Sequence, residues 1–192
     1  LSDPNEAGKN AAKLARSDKP RRWLRPNLIA FGLSITFAIL IRLFVFQSFY
    51  IPSGSMIPTL MINDRIVVSK VNFALFGVKR GDMVVFVRPA ADKVDPTIKD
   101  LVKRVVGLPG ETISASHGHV YINGTRLSEP YLPKGDFTYN LPPTKIPPGD
   151  YFMMGDNRGN SYDSRFFGPV PGSLFVGQVV LRYYPFNRIA IL

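Results

Sequence analysis

The nineteen residues from Leu28 to Phe46 form an apolar run interrupted only by Gly32, Ser34, Thr36 and Arg42. No other feature restricts the chain so strongly. As a helix rising ~1.5 Å per residue, the run reaches roughly 28 Å, close to the ~30 Å of bilayer hydrocarbon. Arg42 stands near its far end, where its side chain can snorkel towards the interface. Trp23, with Arg21, Arg22 and Arg25, resembles an interfacial anchor at the other end. The expected division is therefore a basic cytoplasmic tail over 1–22, one transmembrane helix over 23–46 and a separate domain over 47–192. A buried helix of a soluble protein is the alternative. A cleaved leader fits less well, because the run is long and no small-residue cleavage site follows it.

Charge agrees with this division. The net charge of +10 is uneven: residues 1–25 carry seven Lys/Arg against three Asp/Glu, and residues 47–192 carry sixteen against eleven. An excess of Lys/Arg before a span predicts a cytoplasmic N-terminus, which puts everything after Gln47 on the outer face of the inner membrane. The basic tail points to the lipid bilayer as partner and not to nucleic acid. With no cysteine in the chain, thiol catalysis, disulfides and Cys-ligated zinc are excluded.

Residues 47–192 read as all-β. "DRIVVSKV", "GDMVVFVRP", "LVKRVVG", "GHVYI", "TRLSE", "DYFMMGD" and "FVGQVVLRYYPF" are short apolar or alternating runs punctuated by Gly, Pro, Asn and Asp. Asn123-Gly124 between two such runs signals a two-residue hairpin. Leu108-Pro109-Gly110-Glu111 fits a type II turn. "LPPTKIPPGD" (141–150) reads as an irregular, proline-rich loop.

Directly after the apolar run stands "IPSGSMIPTL" (51–60), with two serines in a turn-forming context. A serine nucleophile needs a base. His117 and His119, the only histidines, alternate in a way that would put both on one side of a strand, so a metal clip is possible; exposure at a hairpin is the default. Lysine is the other candidate. In "DLVKRVVGLPGE" (100–111), period-two alternation groups Lys103 with Leu101 and Val105, and Arg104 with Val102 and Val106. One of these two cations then faces an apolar environment. Burial lowers a lysine pKa, and an unperturbed lysine is neutral near pH 7 only about once in 2,500 molecules. Spacing alone does not choose between Ser53 and Ser55.

Taken together, "PSGSMIPTL", "GDMVVF", "KRVVGLPGE" and "MGDNRGNSYDSRFFGPV", in that order after an apolar span, resemble the bacterial type I signal peptidases, membrane-anchored Ser/Lys proteases. The likeness covers roughly 49–177. It implies a mainly β fold, a signal-peptidase-like domain of coiled antiparallel sheets behind one N-terminal transmembrane helix. By the same resemblance Ser55 is the nucleophile, Lys103 the general base and Ser53 an oxyanion donor, while Ser161 hydrogen-bonds and orients the lysine. Gly155 leaves room beside the dyad. Asp163 with Arg165, and Asp156 with Arg104, resemble supporting ion pairs, with Arg158 near them. Gly159 departs from the pattern, where many relatives carry an acidic residue.

Substrates implied are secretory pre-proteins cut after small residues of the Ala-X-Ala kind, in shallow pockets formed by Phe49, Ile51, Met56, Leu60, Leu101 and Val102. No metal, no other cofactor and no obligatory protein partner is implied. Phe73, Phe76, Tyr183, Tyr184 and Phe186 either dip into lipid or join the core. Three alternatives stand beside this reading: a relative specialised for one substrate, a self-cleaving repressor of similar β-fold, and a non-catalytic membrane-tethered module.

Overall fold

A computed structural model describes residues 19–92 and 98–192, and the side chains of 19–27 and 42–44 are outside the description. Most of the expected tail, and the expected roles of Trp23, Arg21, Arg22, Arg25 and Arg42, therefore fall outside the described residues. The chain divides into two units, 1–44 and 45–192.

The first unit contains helix α1, Lys19–Phe44. Leu28, Phe31, Leu33 and Phe37 are all about two-thirds exposed within the protein. The polar interruptions are satisfied locally: Ser34 Oγ donates to the Ala30 carbonyl at 2.9 Å and Thr36 Oγ1 to that of Gly32 at 3.0 Å. Among the described residues no helix is long and apolar enough to cross a membrane. The helix also ends earlier than the apolar run suggests. Phe46, assigned above to the span, opens a strand.

The second unit is mainly β, and every strand pairing in it is antiparallel. The strands are β1 Phe46–Tyr50, β2 Arg65–Ser69, β3 Met83–Val87, β4 Asp100–Gly107, β5 Thr112–Ser116, β6 His119–Ile122, β7 Thr125–Arg126, β8 Leu141–Lys145, β9 Asp150–Met154, β10 Val170–Pro171, β11 Phe175–Tyr184 and β12 Ala190–Ile191. The larger sheet runs β1-β2-β11-β3-β4-β9-β10 with β12 on β11, and the smaller runs β7-β6-β5-β8.

The apolar run "MVVFV" of β3 is continuous because both faces of this central strand are covered. Met83 and Val85 pack with Ile51, Met56, Leu60, Ile66 and Val68, whereas Val84 and Phe86 pack with Val105, Met153, Phe167 and Val170. A third cluster, including Val106, Ile113, Val120, Ile146 and Phe152, fills the smaller sheet.

Both turn signatures form. Asn123 (φ 51°) and Gly124 (φ 81°) are left-handed between the paired Ile122 and Thr125, as a two-residue hairpin requires. Gly110 takes φ 81° and the Glu111 N–H donates to the Leu108 carbonyl at 3.2 Å.

"LPPTK" corrects the loop expectation, since it is the edge strand β8. Thr144 and Leu141 pair with Ile113 and Ala115 across an irregularity in register, and the two prolines lie between those contacts. An edge strand tolerates prolines because one side of its backbone needs no partner. Of the aromatics, Phe73 joins the core, Tyr183 hydrogen-bonds Ser48, and Phe76, Tyr184 and Phe186 remain exposed.

Candidate functional site

The 51–60 turn is held at both ends by burial. Ile51, Met56 and Leu60 insert into the first core cluster, and the Ile51 N–H donates to the Asp64 carbonyl at 3.0 Å. Between these anchors Ser53 is exposed and Ser55 half-buried, with their hydroxyl oxygens 3.5 Å apart. Among the described residues the Ser55 N–H has no backbone acceptor. A second segment steadies the turn: the Asn157 N–H donates to the Ser55 carbonyl, and Asn157 Nδ2 to that of Gly54, both at 3.0 Å.

β4 brings the amine. Lys103 is 4% exposed, and its Nζ is hydrogen-bonded to Ser55 Oγ at 2.6 Å. Among the described residues no carboxylate forms an ion pair with it. Burial pushes its pKa down from 10.5 to about 8, against the more distant charge of Asp163 and with the help of Arg165. At pH 7 about one molecule in ten then carries a neutral amine, a gain of about 3 kcal/mol over an ordinary lysine. Alternation puts one of the β4 cations in an apolar environment, and the structure buries both. Arg104 is buried too, because Asp156 takes its guanidinium in two contacts, Nε–Oδ1 at 2.8 Å and Nη2–Oδ2 at 2.6 Å.

The 155–165 loop closes over this pair. Asp163 accepts from Arg165 Nε and Nη2, both at 2.8 Å, and from the Gly155 N–H at 3.0 Å. Gly155 is tightly enclosed. A Cβ there would strike Ser161 Oγ and the Ser55 carbonyl oxygen, and the backbone atom cannot step aside. Arg158 does not pair with the loop carboxylates. Its guanidinium reaches Glu129 at 2.5 Å, Thr138 at 2.9 Å and the Gly155 carbonyl at 3.1 Å.

Ser161 also differs from expectation. Its Oγ is buried and among the described residues has no hydrogen-bond partner, so the expected bond to Lys103 is not formed; the hydroxyl lies against Gly155 instead.

A small cleft of about 60 Å³ adjoins the serine and lysine. Phe49, Ile51, Met56, Leu101 and Val102 line it, together with Val85. Leu60 does not. It is fully buried in the core cluster beneath the turn, which removes it from the expected pocket wall. His117 is an exposed turn residue at φ 48° and His119 opens β6, so the two do not share a strand face. His119 Nδ1 lies 3.2 Å from Arg126 Nη2, and among the described residues no cluster of acidic residues and histidines could hold a metal. A larger cleft of about 560 Å³, lined by Gly118, His119, Arg126 and the 127–136 loop, shares no residue with the first.

Four residues of this arrangement escaped the sequence reading. Thr59 donates to Asp156, Asn157 ties the loop to the serine turn, Glu129 holds Arg158, and Tyr131 lies over Arg104. Thr59 and Asn157 stand inside motifs that carry the resemblance and Glu129 ends the run "TRLSE", but nothing local marks any of them as a site residue. All four reach their partners across long stretches of chain, where no local pattern signals the contact.

Comparison with known proteins gives consistent likenesses. Residues 21–184 match the family described as signal peptidase, peptidase S26. A signal peptidase I of Leptolyngbya laminosa is 41% identical over 95% of this chain and 89% of its own length. A probable signal peptidase I-2 of Synechocystis is 41% identical over 83% and 72%. The crystal structure of a signal peptidase I from Enterococcus faecalis is 32% identical with a TM-score of 0.44, over 53% of this chain and 95% of that one.

Proposed function

The chain belongs to the signal peptidase family, peptidase S26, and on that premise we propose that Ser55 and Lys103 form its catalytic dyad. The protein is a serine endopeptidase that removes signal peptides from secretory pre-proteins. One observation carries the assignment of residues: a lysine amine, almost wholly buried and without a carboxylate partner among the described residues, 2.6 Å from a serine hydroxyl. A base must sit within hydrogen-bond reach and titrate near the working pH. Lys103 meets both conditions.

With the amine neutral, the Ser55 hydroxyl donates to its lone pair, and the alkoxide forms as Ser55 attacks the scissile carbonyl. The Ser55 N–H and the Ser53 hydroxyl hold the oxyanion. Each such donor lowers the barrier by about 2.7–4 kcal/mol. The lysine then protonates the leaving amine and afterwards draws a proton from the water that releases the acyl group. Gly155 keeps space for this pair, and Ser161 is a further hydroxyl close to it.

The size of the cleft supports preference for small residues of the Ala-X-Ala kind. At about 60 Å³ it is a small space, and the apolar side chains of Phe49, Ile51, Met56, Val85, Leu101 and Val102 wall it. An extended substrate can add as a strand, because β9 pairs with β4 only from Arg104 onward and, among the described residues, no strand pairs with 100–103 on that side. Helix α1, apolar around its described surface, is the proposed anchor. It holds the catalytic unit on the outer face of the inner membrane with the basic tail in the cytoplasm, and concentrates enzyme where precursors emerge. Resistance of the protein to alkaline extraction from membranes, with the tail protected from external protease, checks this topology.

The test of the dyad is cleavage of a precursor with alanine at the first and third positions before the bond, by detergent-solubilised protein. Ser55→Ala and Lys103→Ala are expected to fold and lose processing. Substantial cleavage by either would falsify the assignment.

A further inference from the structure

The tripeptide Glu129-Pro130-Tyr131 follows β7 and belongs to none of the motifs that carry the resemblance. It nevertheless touches both arginines on which the site loop is hung. The Glu129 carboxylate accepts from Arg158 Nη2 at 2.5 Å and Nη1 at 3.1 Å, and from the Tyr131 hydroxyl at 2.7 Å. The Tyr131 ring lies 4.1 Å from the Arg104 guanidinium carbon, a close cation–π contact. Arg158 passes this fixation on through Nε to the Gly155 carbonyl, and Arg104 does so through its two contacts with Asp156. Gly155 is in turn the residue against Ser55, with no room for even a methyl group between it and the Ser55 carbonyl, and Asp156 accepts from Thr59 of the serine turn.

We infer that Glu129 and Tyr131 are positioning residues for proteolysis, a clamp that sets the place of Gly155–Asp156 against Ser55 and Lys103. The inference rests on the dyad reading. The Arg158 side chain is fully buried, and Glu129 is its only carboxylate partner among the described residues. A buried guanidinium cannot shed its proton, so losing Glu129 forces the arginine to move towards water or another acceptor. Gly155 moves with it. Charge supports the same picture: burial, the largest single effect, works against the charged form of Arg158, and the Glu129 hydrogen bond together with the negative charges of Glu129 and Asp156 more than offsets it, so the pKa is raised. Burial, reinforced by Glu129, also keeps the Tyr131 hydroxyl protonated far into the alkaline range, hence a donor.

The experiment uses the full chain in detergent and a precursor peptide with small residues before the bond. Glu129→Ala is expected to lose about a hundredfold in kcat, with KM within about twofold, as a misplacement of some 1 Å would cause. Glu129→Gln recovers part of this, and Tyr131→Leu loses more than Tyr131→Phe, which keeps the ring. The acid limb of kcat/KM is the decisive readout. The charges acting on Lys103 are Asp163, Arg165, Asp92 and Asp156, and Glu129 is not among them. An upward move of the limb in a Glu129 or Tyr131 variant therefore reports a change next to the amine itself, water reaching it or Asp156 displaced towards it, which a merely structural defect of the smaller sheet does not cause. A limb at the wild-type position, with wild-type kcat per folded molecule, overturns the clamp. If Glu129→Ala does not fold, Glu129→Gln and Tyr131→Leu decide by the same limb. Ser55→Ala is run alongside: activity retained there sinks the dyad, a failure separate from that of the clamp.

Discussion

Lys103 and Arg104 are neighbours on one strand, equally buried, and their surroundings treat them in opposite ways. Arg104 has a carboxylate in two contacts, the Gly81 carbonyl at 2.8 Å and an aromatic face. Lys103 has one hydroxyl. A guanidinium keeps its proton at any ordinary pH, so its burial demands a counter-charge. An amine can give its proton up, and withholding a counter-charge makes it do so. The same strand thus builds a permanent cation on one face and a titrating base on the other, and among the surroundings the largest difference is where the loop places Asp156.

Erasing that difference has the largest expected effect. Lys103→Arg keeps positive charge but cannot act as a base, and kcat/KM for precursor cleavage should fall by about 10⁴-fold or more, as for removal of any member of a catalytic unit. Activity near wild type in that variant removes the reason for reading the pair as a dyad.

Asp156→Ala strikes the other side of the comparison. It leaves Arg104 buried without its carboxylate, and chemical denaturation should show a loss of about 3–5 kcal/mol. The exposed pair at the surface of such a protein typically gives below 1 kcal/mol, so a loss of that small size would mean that Arg104 is not buried in solution.

Lys103→Met sharpens the contrast through pH. The folded pKa, about 8, lies below the ordinary 10.5. Between these values the unfolded chain binds more protons than the folded one, so wild-type stability rises with pH across the window. Below pH 8 burial of the amine costs about 3 kcal/mol, and above 10.5 it costs nothing. Lys103→Met should therefore be more stable than wild type by up to about 3 kcal/mol at pH 7, with the advantage fading towards pH 10.5. A constant difference over that range contradicts the shift. The smallest effect is in the wild-type enzyme, whose kcat/KM should rise about tenfold per pH unit below 8 and level above it.

Features written in local pattern were legible from the sequence. Asn123-Gly124 and Pro109-Gly110 dictate their turns through backbone conformation alone, and the alternation in β4 sorts Leu101 and Val105 from Val102 and Val106 into different clusters. Features decided by distant partners were not. β8 hides behind two prolines that only an edge position excuses, and β1 is masked because its first residue, Phe46, prolongs the apolar run of α1. Leu60 has the composition of a pocket residue, but the anchoring of the turn drives it into the core. The partner that lets Arg104 be buried, Asp156, is 52 residues away, and only the motif resemblance, not local pattern, paired the two. The motif resemblance named Ser55 and Lys103, whereas Glu129 and Tyr131 lie outside those motifs and emerge only from the three-dimensional contacts.

The most direct measurement is a titration of the Lys103 amine by NMR, with the lysine side chains isotopically labelled at Cε and Lys103→Arg used to identify its signal. A midpoint near pH 8 is the expected result. A midpoint at the ordinary lysine value of 10.5 would mean a solvated, protonated amine at neutral pH, and the dyad would have no base.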